Sequence, residues 1–339
     1  MSEMDRRAFI RRSAIAVGAV GAAALVGEGV VLRRRAEQAL WNPAAFPPPG
    51  EARVAVLRAT SYGEGLEGIV GDGLRAIGAD VRDARVVLKP NFVEYDAATT
   101  TNTDPRLVGA AVVALRRMGA ADVIVGEGPG HRRDTRYVVT RSGLLEVLDA
   151  VGTRFVDLNT DGVKRVRLQS SYTALRELWL PTTITEADVV ISMPKMKTHH
   201  WAGLTLSLKN CYGCVPGRIY GWPKNALHWA GLEQSILDVA GAVRPDYAIV
   251  DGIVGMEGNG PISGTPIEAD VLVFGDDPVA TDVVGARLMG FDPAKVAYIA
   301  EAGRFLGQGD MERIHTEGEN LDTVTKDFAV LPQFRSMKA

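Results

Sequence analysis

Lysine is scarce in this 339-residue chain: of 38 basic residues only nine are Lys, and the rest are Arg. Where a chain relies on Arg, each remaining Lys raises the question of whether its compact, titratable ammonium is needed. Four of the nine stand in short polar motifs: Lys89-Pro90-Asn91, Pro194-Lys195-Met196-Lys197-Thr198-His199-His200 and Lys209-Asn210. Carboxylates occupy comparable motifs at Glu127, Asp251, Glu257, Asp276 and Asp277. Bringing both signs into a partly dry cleft is unfavourable unless they pair or bind something. Three chemistries meet that condition. An anionic substrate can be held by Lys, with a hard divalent cation held by carboxylates. The charges can form a structural ion-pair network. A Lys whose proton affinity is lowered by neighbouring ammonium groups can act as base or Schiff-base nucleophile. The residues alone leave these three open.

On this reading Lys89, Lys195, Lys197, Asp251 and His199 are the catalytic candidates. Asn91, Glu127, Lys209, Asn210, His228 and Asn259 are ligand-binding candidates, and Glu257, Asp276 and Asp277 are candidates for a divalent metal. His199 and His200 are adjacent, so on a strand they would point to opposite faces; in a loop both could reach one ion. His228 lies in Asn225-Ala226-Leu227-His228-Trp229, where an acid–base role and a surface or core role are both open. His131 follows Pro129-Gly130 and could serve the same rim, whereas His315 looks peripheral. Cys211-Tyr212-Gly213-Cys214 is a C-x-x-C pair, a redox candidate or half of a shared metal site. Its flanks lack the character of a thioredoxin-like motif, so two small residues that happen to be Cys are the competing reading. Gly126-Glu127-Gly128-Pro129-Gly130 is neither a dinucleotide fingerprint nor a Walker loop, although its backbone could still hold a small anion.

The elements that must position these groups alternate. Apolar, β-branched runs at 54–57, 86–88, 123–125, 155–158, 189–192, 248–250 and 272–274 read as strands. They lack clean in/out alternation, which suits strands covered on both faces. Helical patterns fall at 66–77, 105–118, 143–151, 231–242 and 278–289. Two of them open with Asp-Pro, an N-cap followed by a first-turn proline. The order predicts one α/β domain over 52–310: three layers, a mostly parallel or mixed sheet, and helices on both faces. Residues 159–187 break the alternation and suggest an antiparallel excursion. Residues 196–230 read as a long functional loop. Five apolar runs deliver polar, Gly/Pro-containing turns at their carboxyl ends. If all are parallel, these turns share the rim where open α/β sheets bind ligands.

The ends carry other information. Asp5-Arg6-Arg7-Ala8-Phe9-Ile10-Arg11 precedes an apolar stretch at 14–26. This pattern reads as a twin-arginine-type signal peptide or signal anchor over 1–32. It implies export across the cytoplasmic membrane through the twin-arginine machinery, with membrane attachment only through an uncleaved N-terminus. Residues 33–51, with Pro43, Pro47, Pro48 and Pro49, form a stiff linker, and 311–339 form a C-terminal tail, which after Gly318 reads as a helix or an extended arm. A net charge of −3 gives no strong field for nucleic acid. Two cysteines cannot supply the four thiolates of an ordinary iron–sulfur cluster.

The turns, in their order, resemble the domain of unknown function 362 family. The matching segments include Val87-Leu88-Lys89-Pro90-Asn91, Gly126-Glu127-Gly128-Pro129-Gly130 and Met193-Pro194-Lys195-Met196-Lys197-Thr198-His199. They continue with Ser207-Leu208-Lys209-Asn210, Gly255-Met256-Glu257-Gly258-Asn259-Gly260-Pro261 and Asp277-Pro278-Val279-Ala280-Thr281-Asp282. Members of that family are sometimes labelled iron–sulfur-centre proteins, and some carry ferredoxin-like cysteine motifs that this chain lacks. Three functions fit: an exported enzyme acting on a small anionic molecule, with or without a divalent metal; a binding or maturation factor for an exported iron–sulfur or redox partner protein; or a thiol redox module centred on Cys211 and Cys214.

Overall fold

Every apolar run becomes a strand, and two of them extend well past their apolar part. The strands are β1 (Ala52–Arg58), β2 (Arg85–Pro90), β3 (Asp122–Glu127), β4 (Phe155–Asp157), β5 (Val163–Arg167), β6 (Glu177–Pro181), β7 (Val189–Met193), β8 (Lys195–His199), β9 (Gly203–Thr205), β10 (Tyr247–Glu257), β11 (Thr265–Gly275) and β12 (Ile314–Gly318). The longer helices are α1 (Leu66–Ala76), α2 (Pro105–Arg117), α3 (Leu232–Val243) and α4 (Pro278–Leu288). This computed structural model describes residues 39–130 and 134–339, and the body from Pro43 to Ala339 forms one unit. The twin-arginine segment and His131 lie outside the described residues. No helix among the described residues is long and apolar enough to cross a membrane.

The main sheet runs β12-β1-β11-β10-β7-β2-β3-β4. Along this path only β11 opposes the common direction, pairing antiparallel with both β1 and β10, and off the path β9 pairs antiparallel with β8. The fold is therefore α/β with a mixed, mostly parallel sheet. Helices α1 and α2 share a core cluster with Leu88, Val125 and Ile191, while α4 packs on β1, β10 and β11. The central strands β2, β3 and β7 are buried almost throughout, which explains their continuous apolar character. Both Asp-Pro starts are genuine caps: Asp104 accepts from the Arg106 amide, and Asp277 from those of Val279 and Ala280.

The reversal of β11 corrects the single rim expected from the sequence. The turn after an antiparallel strand emerges at the opposite edge, so Gly275-Asp276-Asp277 sits at the amino ends of the parallel strands. A second correction concerns β8. It begins where β7 stops, and β10 transfers its pairing from β7 to β8, with Asp251 opposite Lys195. Residues 195–199 are thus a strand and not the start of a loop. The 159–187 excursion contains the antiparallel pair β5–β6. The tail adds β12 parallel to β1, closing one sheet edge, so the body extends beyond 310. The linker is docked as well, since Phe46 is buried and meets the edge of the Phe305 ring at 5.0 Å.

Candidate functional site

Strand alternation places the first functional group. Lys195, Lys197 and His199 occupy every second position of β8 and so share one face, while Met196 and Thr198 take the other. Lys197 and His199 line a cavity of about 380 Å³, within the range typical of small-molecule sites. Its other walls come from the segment after β2 (Asn91, Phe92), the end of β3 (Glu127), the stretch 205–228 and the β10–β11 turn (Pro261, Ile262).

Below the cavity is a closed charge pair. Lys89, 1% exposed, donates to Glu127 Oε2 at 2.9 Å, Asn210 Oδ1 at 2.7 Å and the Pro90 carbonyl at 2.7 Å. Glu127 also accepts from the amides of Phe92 and Gly128. Every donor of the Lys89 ammonium is used, so it serves as a fixed positive charge under the cavity. Gly213 crosses directly over this pair. A Cβ there would overlap Glu127 Oε1 and Lys89 Nζ, so only glycine permits the approach.

Three further ammonium groups reach the cavity. Lys197, fully buried, donates to the Thr101 carbonyl at 2.8 Å. Burial first, then the charges of Lys209 and Lys195, push its proton affinity well below that of an ordinary lysine. Lys224 donates to Asn159 Oδ1 at 2.8 Å and to the Val215 carbonyl. Burial, with Lys89 adding to it, lowers its pKa to about 7. The Lys209 ammonium makes no hydrogen bond or ion pair with a described residue. It lies 5.3 Å from the centre of the Tyr212 ring, and burial and Lys89 lower its pKa to about 8. Among the described residues the only carboxylate lining the cavity, Glu127, is already committed to Lys89. The surplus is cationic.

The histidines are sorted by their backbone contacts. His199 Nδ1 accepts from the amides of Trp201 and Ala202, so its neutral ring carries the proton on Nε2. Burial and the nearby charge of Lys209 keep that ring neutral. His200 and His228 do the reverse: each donates Nδ1–H to a carbonyl, of Gly260 and Lys224 respectively, so that in the neutral ring the lone pair falls on Nε2. Burial also lowers the proton affinity of His228. One imidazole is therefore a donor and two are bases. His199 and His200 line the same cavity despite being adjacent, because the chain turns at the end of β8 and stacks their rings at 4.9 Å. Two buried polar atoms of lining residues, Asn91 Oδ1 and Thr205 Oγ1, have no hydrogen-bond partner. Such atoms are costly to leave unsatisfied.

Other residues singled out in the sequence lie elsewhere. Lys195 and Asp251 form a buried pair at 2.6 Å, closed by the Tyr62 hydroxyl, which donates to Asp251 Oδ1 at 2.7 Å. Asp251 Oδ2 accepts from the Asp104 amide at the start of α2. This knot ties β8 and β10 to a helix cap and does not line the cavity. Asn259 is exposed in the β10–β11 turn. Glu257 accepts from the Ala329 amide, Asp276 from the Arg53 amide, and Asp277 caps α4. Glu257 lies at the opposite end of the β10–β11 ladder from the adjacent Asp276 and Asp277, and no group of three metal-ligating side chains occurs among the described residues. Cys211 and Cys214 are free and buried in a turn behind the cavity. Burial raises both thiols, that of Cys214 to about 12, which keeps them protonated.

Sequence reasoning passed over Lys224, Tyr212 and Asp282. The scarcity of Lys was the available signal for the first. Asp282, on α4, accepts from the amides of Ser207 at 2.6 Å and Leu208 at 2.9 Å. It thereby fixes the short helix Ser207–Asn210, which carries Lys209 and Asn210.

Comparison with known proteins agrees with the order of these motifs. The family described as a domain of unknown function, DUF362, matches residues 86–287. A thylakoid-associated protein of Synechocystis sp. is 32% identical over 226 residues, covering 65% of this chain and 67% of that protein. Among solved structures, the lactate racemase apoprotein of Thermoanaerobacterium thermosaccharolyticum aligns with a TM-score of 0.44 and 13% identity over 72% of this chain and 57% of that one. A Thermotoga maritima protein aligns at 0.35 and 12% identity, over 62% and 55%. The chain thus spans less than two thirds of either solved protein. Lys89, Glu127, Lys197, Lys209 and His228 all fall within the span of the family match, and the chain belongs to the DUF362 family.

Proposed function

We propose that the cavity binds a small organic anion and carries out proton transfer on it. One observation carries this reading: three ammonium groups whose charge is penalised by burial and by neighbouring ammonium groups meet one carboxylate that a fourth ammonium already occupies. An anion relieves that repulsion. Lys197 and Lys224 are the fixed donors for its charged group. His199 Nε2–H donates to a second oxygen, and His228 Nε2 and the Lys209 amine are the bases. The test is calorimetric titration with propionate and inorganic phosphate, repeated with Lys197→Met and Lys224→Met proteins that melt cooperatively. Binding by the parent and at least tenfold weaker binding by each variant, roughly the effect of losing one charge-assisted hydrogen bond, are the expected results. Equal binding by all three proteins would remove the cavity from consideration.

Export is a separate part of the proposal and rests on residues 1–32. A reporter fused to this segment should reach the far side of the membrane only when Arg6 and Arg7 are intact; transport of the Arg6→Lys, Arg7→Lys form at the parent level would refute it. The thylakoid association of the Synechocystis relative supports a membrane-adjacent setting.

A further inference from the structure

Lys209 differs from the other lysines of the site in having nothing to hold. Lys89 is bound to Glu127, Asn210 and the Pro90 carbonyl, Lys197 to backbone carbonyls, and Lys224 to Asn159 and the Val215 carbonyl. In each, acceptors surround the nitrogen and orient its N–H bonds as donors. Lys209 extends from the short helix Ser207–Asn210, lines the cavity, and rests over the Tyr212 ring with no acceptor among the described residues. A nucleophilic amine must present a lone pair, and among the described lysines of the site only this nitrogen has no acceptor holding its N–H bonds. Around it lie the Lys89 pair, Lys197, and the rings of His199 and His228.

We propose that Lys209 is a Schiff-base nucleophile and that the anion it takes is a 2-oxo carboxylate. The inference rests on the anion-binding reading above and adds a carbonyl to the ligand. The carboxylate pairs with Lys197 and Lys224, which brings the adjacent keto carbon to Lys209. The neutral amine adds to that carbon and the carbonyl π pair moves to oxygen. His228 Nε2 takes one N–H proton and returns it to the oxygen, giving the carbinolamine. A second proton, from solvent, lets the C–O bond break and water leave, while the nitrogen pair forms the C=N⁺ bond. One proton is consumed overall and one water released. No oxidant or reductant is needed. Burial and Lys89 keep about a tenth of Lys209 neutral at pH 7, against well under a thousandth for an ordinary lysine.

The experiment uses the full chain with two probes. Propionate carries the carboxylate without the carbonyl, and pyruvate carries both. Calorimetry measures binding of each. Borohydride is then added to the pyruvate sample, and peptide mass spectrometry locates any reduced adduct. The expected result is one pyruvate trapped per chain, on Lys209, at a rate per bound pyruvate that rises with pH above neutrality. A Lys209→Met protein, checked by circular dichroism, should bind propionate and trap nothing. Binding of both probes without an adduct, or an adduct on another lysine, overturns the Schiff base and leaves the anion site standing. Failure of both probes to bind overturns the two together.

Discussion

Anion affinity should fall steeply with pH, and the site sets the slope. In the empty cavity Lys224 has a pKa of about 7 and Lys209 of about 8, both lowered by burial and by Lys89. A bound carboxylate restores both toward an ordinary lysine, so binding takes up whatever protons they have lost. Below pH 6 both are already charged and affinity is flat. At pH 8 about nine-tenths of Lys224 and half of Lys209 are neutral, so binding takes up about 1.4 protons. Between pH 7 and pH 9 this amounts to about a 500-fold loss of affinity, about 3.7 kcal/mol, if the complex keeps both groups charged. The other groups facing them are Lys89, Lys197, Glu127, His199, His200 and His228. Glu127 stays paired with Lys89, and the neutral imidazole of His199 contributes no charge. The assay is calorimetry with propionate in two buffers of different ionisation enthalpy, which counts protons directly. Lys224→Met should reduce the loss to about tenfold, the share of Lys209 alone. Affinity that stays level or rises between pH 7 and pH 9 would refute the reasoning.

Three perturbations separate scaffold from site. Lys195→Met leaves Asp251 buried without its partner and should cost about 3–5 kcal/mol in denaturant melts, while protein that remains folded binds propionate as the parent does; lost binding in folded protein would bring Lys195 into the site. Gly213→Ala should lower both melting temperature and propionate affinity by pushing Glu127 from Lys89, whereas Gly50→Ala, with open space around it, changes neither. Cys211 and Cys214 should resist iodoacetamide at pH 8 until the protein is unfolded, since burial keeps both thiols protonated; rapid labelling of the native protein, read by mass spectrometry, would revive a redox role.

The apolar runs marked the strands well because buried parallel strands must be apolar on both faces, and a run such as Val86-Val87-Leu88 states that locally. Direction is not local. Nothing in Val271-Leu272-Val273-Phe274 says that β11 runs against its neighbours, so Asp276 and Asp277 were assigned to an edge they do not reach. The long β10–β11 pair, joined by a turn rich in Gly and Pro, was the missed cue. Strand β8 was hidden for a different reason. Lys195, Lys197 and His199 look like loop residues, yet their spacing of two is the strand period. Their polarity is tolerated because each meets a carboxylate, a carbonyl or an amide inside the fold. Lys89, Glu127 and Asn210 were legible as site residues, whereas their mutual contact depended on Gly213, which looked like the middle of a thiol motif.

How the free amine is positioned bears on whether the site is built or incidental. Lys209 sits one residue beyond Leu208, and the start of its short helix is held by the buried carboxylate of Asp282. That carboxylate accepts two amides, yet burial still raises its pKa to about 8. The folded state therefore holds the Asp282 proton more tightly than the unfolded chain. Its contribution to stability is fully present below about pH 4 and is lost as pH rises toward 8. Asp282→Asn keeps one oxygen acceptor and cannot ionise. Relative to the parent it should be less stable at pH 5, where the parent has a protonated cap, and the gap should narrow toward pH 8. The melting-temperature difference at the two values checks this; a constant gap would mean that Asp282 does not titrate in that window. If the cap also positions Lys209, pyruvate trapping by the folded variant should slow while propionate binding holds, because Lys197 and Lys224 stand on other segments. A residue that merely stabilised the fold would lower the melting temperature without separating those two readouts.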